Sequence, residues 1–177
     1  RQMCIRDRQK DHTSLMRIAT KSSKLNISKL ENTKKIADIF AKNIFNGDVV
    51  LFFGEVGVGK TTFIKSLVNS LEKIDKKNIS EITSPTFSLM NQYKLNKFDI
   101  HHYDLYRLKS EKDILSLNIF EDISDKIVLI EWPEILGEHK PRNTIDINFE
   151  YGENFNSRYL TISAYEKLKI FDEFKSL

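Results

Sequence analysis

Eight consecutive residues, Gly54 to Thr61, have the sequence expected of a loop that binds a polyphosphate. They read Gly-Glu-Val-Gly-Val-Gly-Lys-Thr and fit the Walker A pattern G-x-x-x-x-G-K-[ST]. Glycines let the backbone wrap closely around oxygens, so that successive N–H groups and the positive end of the following helix converge on phosphate. In this pattern Lys60 reaches the β- and γ-phosphates, and the Thr61 hydroxyl binds Mg²⁺.

The flanking sequence predicts the strand and the helix that such a loop requires. The apolar run Val49–Phe53 predicts a buried strand before the loop, and apolar residues follow a helical period after it, at Phe63, Ile64, Leu67, Val68 and Leu71. The alternative is a glycine-rich turn ahead of a surface helix, with a solvated lysine. The order strand, loop, helix disfavours that alternative.

Two acidic residues end segments that read as strands. Glu131 closes the buried-strand pattern Ile127–Glu131, and Asp104 ends a second strand-like segment that lies within residues 101–107. Acids often end strands simply because they meet solvent there. Beside a phosphate loop, however, one carboxylate is needed to hold Mg²⁺ and another group to orient the attacking water. Asp104 and Glu131 are therefore our candidate catalytic residues.

Three further features have competing interpretations. Adjacent strand residues point to opposite faces, so at most one of His101 and His102 faces the site, and a packing or hydrogen-bonding role is favoured over metal binding. The tetrapeptide at residues 96–99 spells N-K-x-D, by which GTPases read guanine, but it follows polar residues and the chain has no D-x-x-G. A hairpin turn between strands at residues 89–95 and 98–106 is favoured. Trp132, the only tryptophan, is either part of the core or a wall of the nucleotide site.

Length and composition predict one domain. The chain has 177 residues, 40% of them hydrophobic, and its longest aliphatic and aromatic run is the five-residue strand before the loop, far short of a membrane span. A helical period from Ser28 to Ile44, stopped at Gly47, leads into that strand, and the lysine-rich stretch 73–77 reads as a solvated helix end or loop. We expect no membrane partner.

The first fifteen residues read differently from the rest. They have no clear periodicity, and removing their four basic and two acidic residues lowers the net charge from +3 to +1, so charge does not indicate a nucleic-acid surface. We predict that residues 1–15 are a non-native or disordered extension and that residues 16–177 form a single P-loop ATPase domain. The only cysteine, Cys4, lies in this extension, which fits a reducing cytoplasm.

Four sequence blocks together carry a family resemblance. They are Gly54 to Thr62, Ser84-Pro85-Thr86-Phe87, His102 to Leu108 (His-Tyr-Asp-Leu-Tyr-Arg-Leu) and Glu131-Trp132-Pro133-Glu134. In this order and spacing the chain, from about Met16 to its end, resembles the bacterial TsaE (YjeE) family of tRNA threonylcarbamoyladenosine biosynthesis ATPases. Phosphate loops are widespread, whereas the combination with the other three blocks is distinctive.

The resemblance implies an α/β P-loop NTPase fold, with a mostly parallel central sheet flanked by helices and an antiparallel hairpin. It implies ATP and Mg²⁺ as ligands, with Thr61 and Glu131 at the metal and Asp104 at the hydrolytic centre. The expected nucleotide-binding residues are Gly54, Gly57, Val58, Gly59, Lys60, Thr61, Thr62, Thr86 and Trp132, with residues 84–87 as a switch-like loop. Roles for residues 135–177 stay open.

The resemblance also implies partners. These are the TsaD and TsaB proteins, which modify adenosine 37 of ANN-decoding tRNAs, so that tRNA is met indirectly through the complex. Two other functions stay open: a small-molecule P-loop kinase and a nucleotide-sensing module that does not hydrolyse ATP. A kinase needs clamping arginines, but only Arg107, Arg142 and Arg158 follow the loop.

Overall fold

One mixed sheet of eight strands organises the computed structural model, which describes residues 20–164 and 168–174. The strands are β1 (Thr20–Lys21), β2 (Leu25–Asn26), β3 (Val49–Phe53), β4 (Met90–Lys94), β5 (Asp99–Asp104), β6 (Ile127–Glu131), β7 (Ile145–Tyr151) and β8 (Arg158–Ala164). Their order across the sheet is β1-β8-β7-β3-β6-β5-β4, and β2 also pairs with β8.

The centre of the sheet is parallel and its edges are antiparallel. Strands β7, β3, β6 and β5 run in the same direction, whereas β4 pairs antiparallel with β5, and β8 with β7. This arrangement confirms the predicted α/β fold with a mostly parallel sheet and a hairpin. The register places Glu131 beside both Phe52 and Asp104. The carboxyl ends of β3, β5 and β6 therefore meet at one edge of the sheet.

Helices cover both faces of the sheet. The helices are α1 (Leu30–Ala41), α2 (Lys60–Ile74), α3 (Glu111–Ser116) and α4 (Leu168–Phe174), with 3₁₀ segments at Ile123–Asp125 and Pro133–His139. One core cluster packs α1, α2 and α4 on the sheet and includes Val50 and Phe52, and a second cluster on the other face includes Val49 and Leu51. Strand β3 is apolar at every position because both of its faces are covered.

The N-K-x-D tetrapeptide lies in the hairpin between β4 and β5. The backbone N–H of Leu95 donates to the Phe98 carbonyl at 2.8 Å, which closes the turn. Asp99 begins β5 and Asp104 ends it, so the tetrapeptide and the phosphate loop lie at opposite ends of the sheet. Asp99 and Asp104 are five residues apart. At a rise of about 3.3 Å per strand residue, the two ends of β5 are more than about 15 Å apart. The favoured hairpin interpretation is thus confirmed.

Several sequence predictions differ in detail from the structure. The first helix ends at Ala41, and Ile44, assigned to its stripe, lies beyond the helix but is buried in the same core. Residues 73–77 form the solvated end of α2 and the turn after it, with Asp75 buried among them. Residues 1–15 lie outside the described residues. In the part of the chain that the structure describes, no helix is long and apolar enough to cross a membrane.

Candidate functional site

The phosphate loop bends where its glycines permit it. Gly54, Gly57 and Gly59 all have positive φ angles, of +136°, +76° and +117°, a region that side chains with a Cβ rarely adopt. A Cβ added at Gly54 would also lie 2.7 Å from the carbonyl oxygen of Phe149 on β7. The loop therefore rests directly on the sheet, and its first glycine is required by both conformation and space.

An aromatic cluster supports the loop from below. The ring of Phe63 on α2 lies 6.1 Å from Phe52, 5.9 Å from Phe149 and 6.0 Å from Phe40. Offset and edge-to-face pairs at these separations are favourable. Because all four rings are buried, the strand before the loop and the helix after it are held in fixed positions, which keeps the loop in place.

Lys60 is buried at the base of the loop, with a relative exposure of only 4%. Its Nζ donates to the carbonyl oxygens of Gly54 at 2.6 Å and Glu55 at 2.9 Å, and it lies 3.7 Å from the centre of the Trp132 ring. Burial lowers the pKa of Lys60, whereas nearby carboxylates, Glu131 first, oppose that shift. The positive charge of Lys60 is thus compensated by two carbonyl oxygens, by the Trp132 ring and by the surrounding carboxylates.

Glu131 links the loop helix to the neighbouring strands. The Thr61 hydroxyl lies 3.1 Å from Oε1 and 2.9 Å from Oε2 of Glu131, and His102 Nε2 lies 2.9 Å from Oε1. Glu131 and His102 are both buried, at 2% and 0% exposure. A hydroxyl and a carboxylate side by side are oxygen ligands of the kind that Mg²⁺ takes from a protein, with phosphates and water completing its coordination. The donor set therefore fits Mg²⁺.

Asp104 is held by the segment from Ser84 to Phe87. The hydroxyls of Thr86 and Ser84 lie 2.7 and 3.3 Å from Oδ2 of Asp104, and the backbone N–H of Tyr106 donates to Oδ1 at 3.0 Å. Asp104 is 4% exposed. The switch-like segment thus contacts the carboxylate itself, and nucleotide binding by Thr86 stays a prediction.

These groups line one open cleft of about 310 Å³. Its lining comprises Val56, Gly57, Gly59, Lys60, Thr61, Thr62, Ser84, Thr86, Asp104, Tyr106, Glu131 and Trp132. Among the described residues, no group of three or more His, Cys, Asp or Glu side chains is placed to hold a metal ion without another ligand. A metal here would depend on oxygens of a bound nucleotide, as is usual for Mg²⁺ in phosphoryl-transfer sites.

Not every predicted residue offers its side chain to the cleft. The Val58 side chain is fully buried in the core, so only its backbone can face phosphate. Trp132 lines the cleft, but its ring lies on Lys60 and is 4.8 Å from the Tyr106 ring. The indole therefore lies at the Lys60 end of the cleft.

Sequence reasoning did not assign Val56 or Tyr106 to the cleft. Tyr106 could have been assigned to the cleft from the sequence, because it lies only two positions after the candidate residue Asp104. Val56 could not, because it occupies a variable position of the loop pattern. His102 was expected to pack or to form a hydrogen bond, and it contacts Glu131.

Comparisons with known proteins identify the family of this chain. Residues 27–160 match the TsaE family, described as threonylcarbamoyl adenosine biosynthesis protein TsaE. The TsaE proteins of Rickettsia conorii and of a Nostoc species are 38% and 34% identical, over 77% and 81% of this chain and 75% and 86% of their own. The crystal structure of Bacillus subtilis YdiB superposes with a TM-score of 0.68 at 23% identity, covering 90% of this chain and 97% of YdiB. The chain therefore belongs to the TsaE family.

Proposed function

We propose that this protein binds and hydrolyses Mg-ATP, and that this activity is required for N6-threonylcarbamoyladenosine modification of adenosine 37 in ANN-decoding tRNAs. The observation that carries the proposal is the convergence of Lys60, the Thr61–Glu131 pair and Asp104 in one cleft. A role in tRNA modification also implies location in the cytoplasm. The protein would act on a complex of TsaD and TsaB and meet tRNA through that complex.

The side chains have separate tasks in this proposal. Lys60 and the loop N–H groups bind the β- and γ-phosphates and neutralise charge that develops during transfer. Asp104 orients the attacking water, which requires its Oδ2 to exchange the hydroxyls of Thr86 and Ser84 for that water. Thr61 and Glu131 would hold Mg²⁺. When bound, the metal would supply positive charge that offsets the negative charge of the phosphates.

Exposed apolar residues around the cleft support the proposed partnership. Phe87, next to Thr86, is 91% exposed, and Val56 and Tyr106 in the cleft wall are also exposed. Phe155 extends this rim, because its ring packs against Tyr151 with the ring centres 5.6 Å apart, and the Tyr151 hydroxyl contacts the Val56 carbonyl at 3.2 Å. Exposed apolar patches of this kind are typical of protein interaction sites. A partner docked on the rim would cover the nucleotide.

The positions of the arginines favour hydrolysis over a small-molecule kinase. Arg107 donates to the Phe87 carbonyl at 2.6 Å, and Arg158 lies over the Tyr151 ring at 5.8 Å. None of the three arginines after the loop lines the cleft, whereas a kinase needs such cations around its second substrate. A nucleotide-sensing module without turnover needs the same cleft, so only an experiment can distinguish it from an enzyme that hydrolyses ATP.

Phosphate release from Mg-ATP tests the proposal, measured for the chain alone and with TsaD and TsaB. We expect partner-stimulated release that falls by about 100-fold or more in Asp104→Asn, while ATP affinity stays within about threefold, because a group used in the transition state contributes little to ground-state binding. Glu131→Ala should instead weaken the Mg²⁺ dependence of binding. Asp99→Asn, at the other end of β5, is the matched control and should retain full activity.

Two outcomes would reject the assignments. Tight ATP binding with no release under any condition would leave a nucleotide-sensing module. Loss of metal dependence in Asp104→Asn alone would reverse the roles of the two acids. The partnership is tested by titrating TsaD–TsaB with the chain bound to a non-hydrolysable ATP analogue, to ADP or to neither; coupling predicts affinities that differ by about 1 to 3 kcal/mol between the nucleotides.

A further inference from the structure

His102 lies where it can control the orientation of Glu131. It is fully buried in β5, and its Nε2 lies 2.9 Å from Oε1 of Glu131 on β6. The two strands are parallel, and His102 pairs with Leu129, two residues before Glu131. The contact is therefore a diagonal one between side chains on the same face of adjacent strands.

The two oxygens of the Glu131 carboxylate have different surroundings. Oε1 is approached by both His102 and the Thr61 hydroxyl, whereas Oε2 is approached by Thr61 at 2.9 Å. A carboxylate with one oxygen fixed by a buried N–H cannot rotate freely about its terminal bond. The contact from His102 occupies Oε1, which leaves Oε2 with the Thr61 hydroxyl as its one hydrogen-bond partner among the described residues.

Packing alone does not account for a histidine at this position. The other ring nitrogen, Nδ1, is buried and has no hydrogen-bond partner among the described residues. An unpaired buried nitrogen costs free energy that an apolar side chain of similar size would avoid. The contact with Glu131 is what the imidazole provides and an apolar residue would not.

We propose that His102 is a positioning residue for the metal site: its Nε2–H donates to Oε1 of Glu131 and holds Oε2 toward the Thr61 hydroxyl and Mg²⁺. The inference rests on the proposed role of Glu131 as a metal ligand and adds the group that orients it. Residues behind a metal ligand commonly change metal affinity by about 10- to 100-fold. His102 does not touch the nucleotide in this proposal.

The test measures Mg²⁺ dependence of nucleotide binding and needs no turnover. Trp132 is the only tryptophan and lies next to Glu131, so its fluorescence can report binding while Mg²⁺ is titrated into a mixture of protein and ATP. In His102→Met, which has similar length and no N–H, we expect the half-saturating Mg²⁺ concentration to rise by about 10- to 100-fold. His102→Gln, which keeps a donor, should recover to within about threefold of wild type.

His101→Gln is the matched control, because its side chain lies on the opposite face of the same strand. It should leave the Mg²⁺ midpoint unchanged, and ATP affinity without Mg²⁺ should be the same in all four proteins. A wild-type midpoint in His102→Met overturns the inference, as does equal impairment in His102→Gln and His102→Met, which would indicate a structural role alone. If wild type itself binds nucleotide without any response to Mg²⁺, the proposed function fails first.

Nitrogen NMR of wild type tests the same idea if His102→Met does not fold. With ¹⁵N-labelled histidine, His102 should carry its proton on Nε2, and that resonance should shift when Mg²⁺ is added to the ATP-bound protein, while the His101 ring resonances stay in place. A proton found on Nδ1 alone, or an Nε2 resonance that ignores Mg²⁺, would overturn the proposal.

Discussion

Replacing Lys60 by methionine should separate nucleotide binding from folding. Methionine keeps the unbranched stem but removes the ammonium, which donates to the carbonyls of Gly54 at 2.6 Å and Glu55 at 2.9 Å and lies 3.7 Å from the Trp132 ring. The substitution therefore leaves the packing of the stem and deletes only the charged contacts.

The expected effect on stability is small because its contributions oppose one another. Losing the donor leaves carbonyl groups without a partner, at about 1 to 3 kcal/mol for each one that water cannot reach. The cation–π contact adds about 0.5 to 2 kcal/mol to the loss. Against this, the variant no longer buries a cation that is 4% exposed, so the desolvation cost of that charge is removed. We expect a net change in unfolding free energy within about 2 kcal/mol.

The expected effect on nucleotide binding is large. A charge-assisted contact to phosphate contributes about 2 to 3 kcal/mol, so the affinity for Mg-ATP should fall by about 30- to 150-fold. Calorimetric titration of Mg-ATP measures this loss, and Lys65→Met removes an exposed cation from the same helix as the control. A Lys60→Met affinity within about threefold of wild type would refute the assignment of Lys60 to phosphate. Equal affinities of wild type for ATP and GTP would revive the N-K-x-D interpretation.

Two further predictions concern stability. Gly54→Ala should lower the free energy of unfolding by about 2 to 5 kcal/mol, because it adds overlap with Phe149 to the strain of a positive φ. Gly47→Ala, at φ +98° with its nearest neighbouring atom 4.0 Å away, should lower it by the strain alone, about 1 to 3 kcal/mol. Equal losses in denaturant titrations would show that the contact with Phe149 does not matter. Burial lowers the pKa of His101 below 6.5, so the unfolded chain takes up a proton first as the pH falls, and wild type should lose stability relative to His101→Gln from about pH 6.5 down to the lowered folded-state pKa. Parallel stability curves for the two proteins between about pH 7.5 and 5 would contradict that assignment.

The elements that could be predicted are those whose signals are local. Strands β3 and β6 have the predicted bounds, Val49–Phe53 and Ile127–Glu131. Their unbroken runs of apolar residues are typical of a strand that is covered on both faces, and in β6 the run ends at Glu131. The loop follows from its glycines and Lys60. The predicted strands of the β4–β5 hairpin were too long at both ends, by one residue at each end of β4 and by one and two residues at the start and end of β5. The turn residues are clear from the sequence, but the strand ends are not.

The contacts between elements could not be predicted, because sequence does not specify the register of nonadjacent strands. Strand β7 inserts beside β3 and brings Phe149 under Gly54 across 95 residues of chain. The alternation of Ile145, Ile147 and Phe149 predicts a strand, but nothing local specifies which neighbour it pairs with. The contact of Thr86 with Asp104 likewise depends on how the segment 84–87 packs against the end of β5, which the sequence does not specify.

Trp132 shows how one backbone conformation joins the two halves of the site. It has φ +59°, an unfavourable value for a residue with a large side chain, directly between Glu131 and Pro133. This turn leaves the Glu131 carboxylate on Thr61 while laying the indole on Lys60. Strain of this kind persists where the surrounding structure imposes it, commonly at functional sites. In the proposed function, the phosphate of an incoming nucleotide would share Lys60 with the Trp132 ring. Nucleotide binding would then act on the end of β6 that also carries Glu131, the proposed metal ligand.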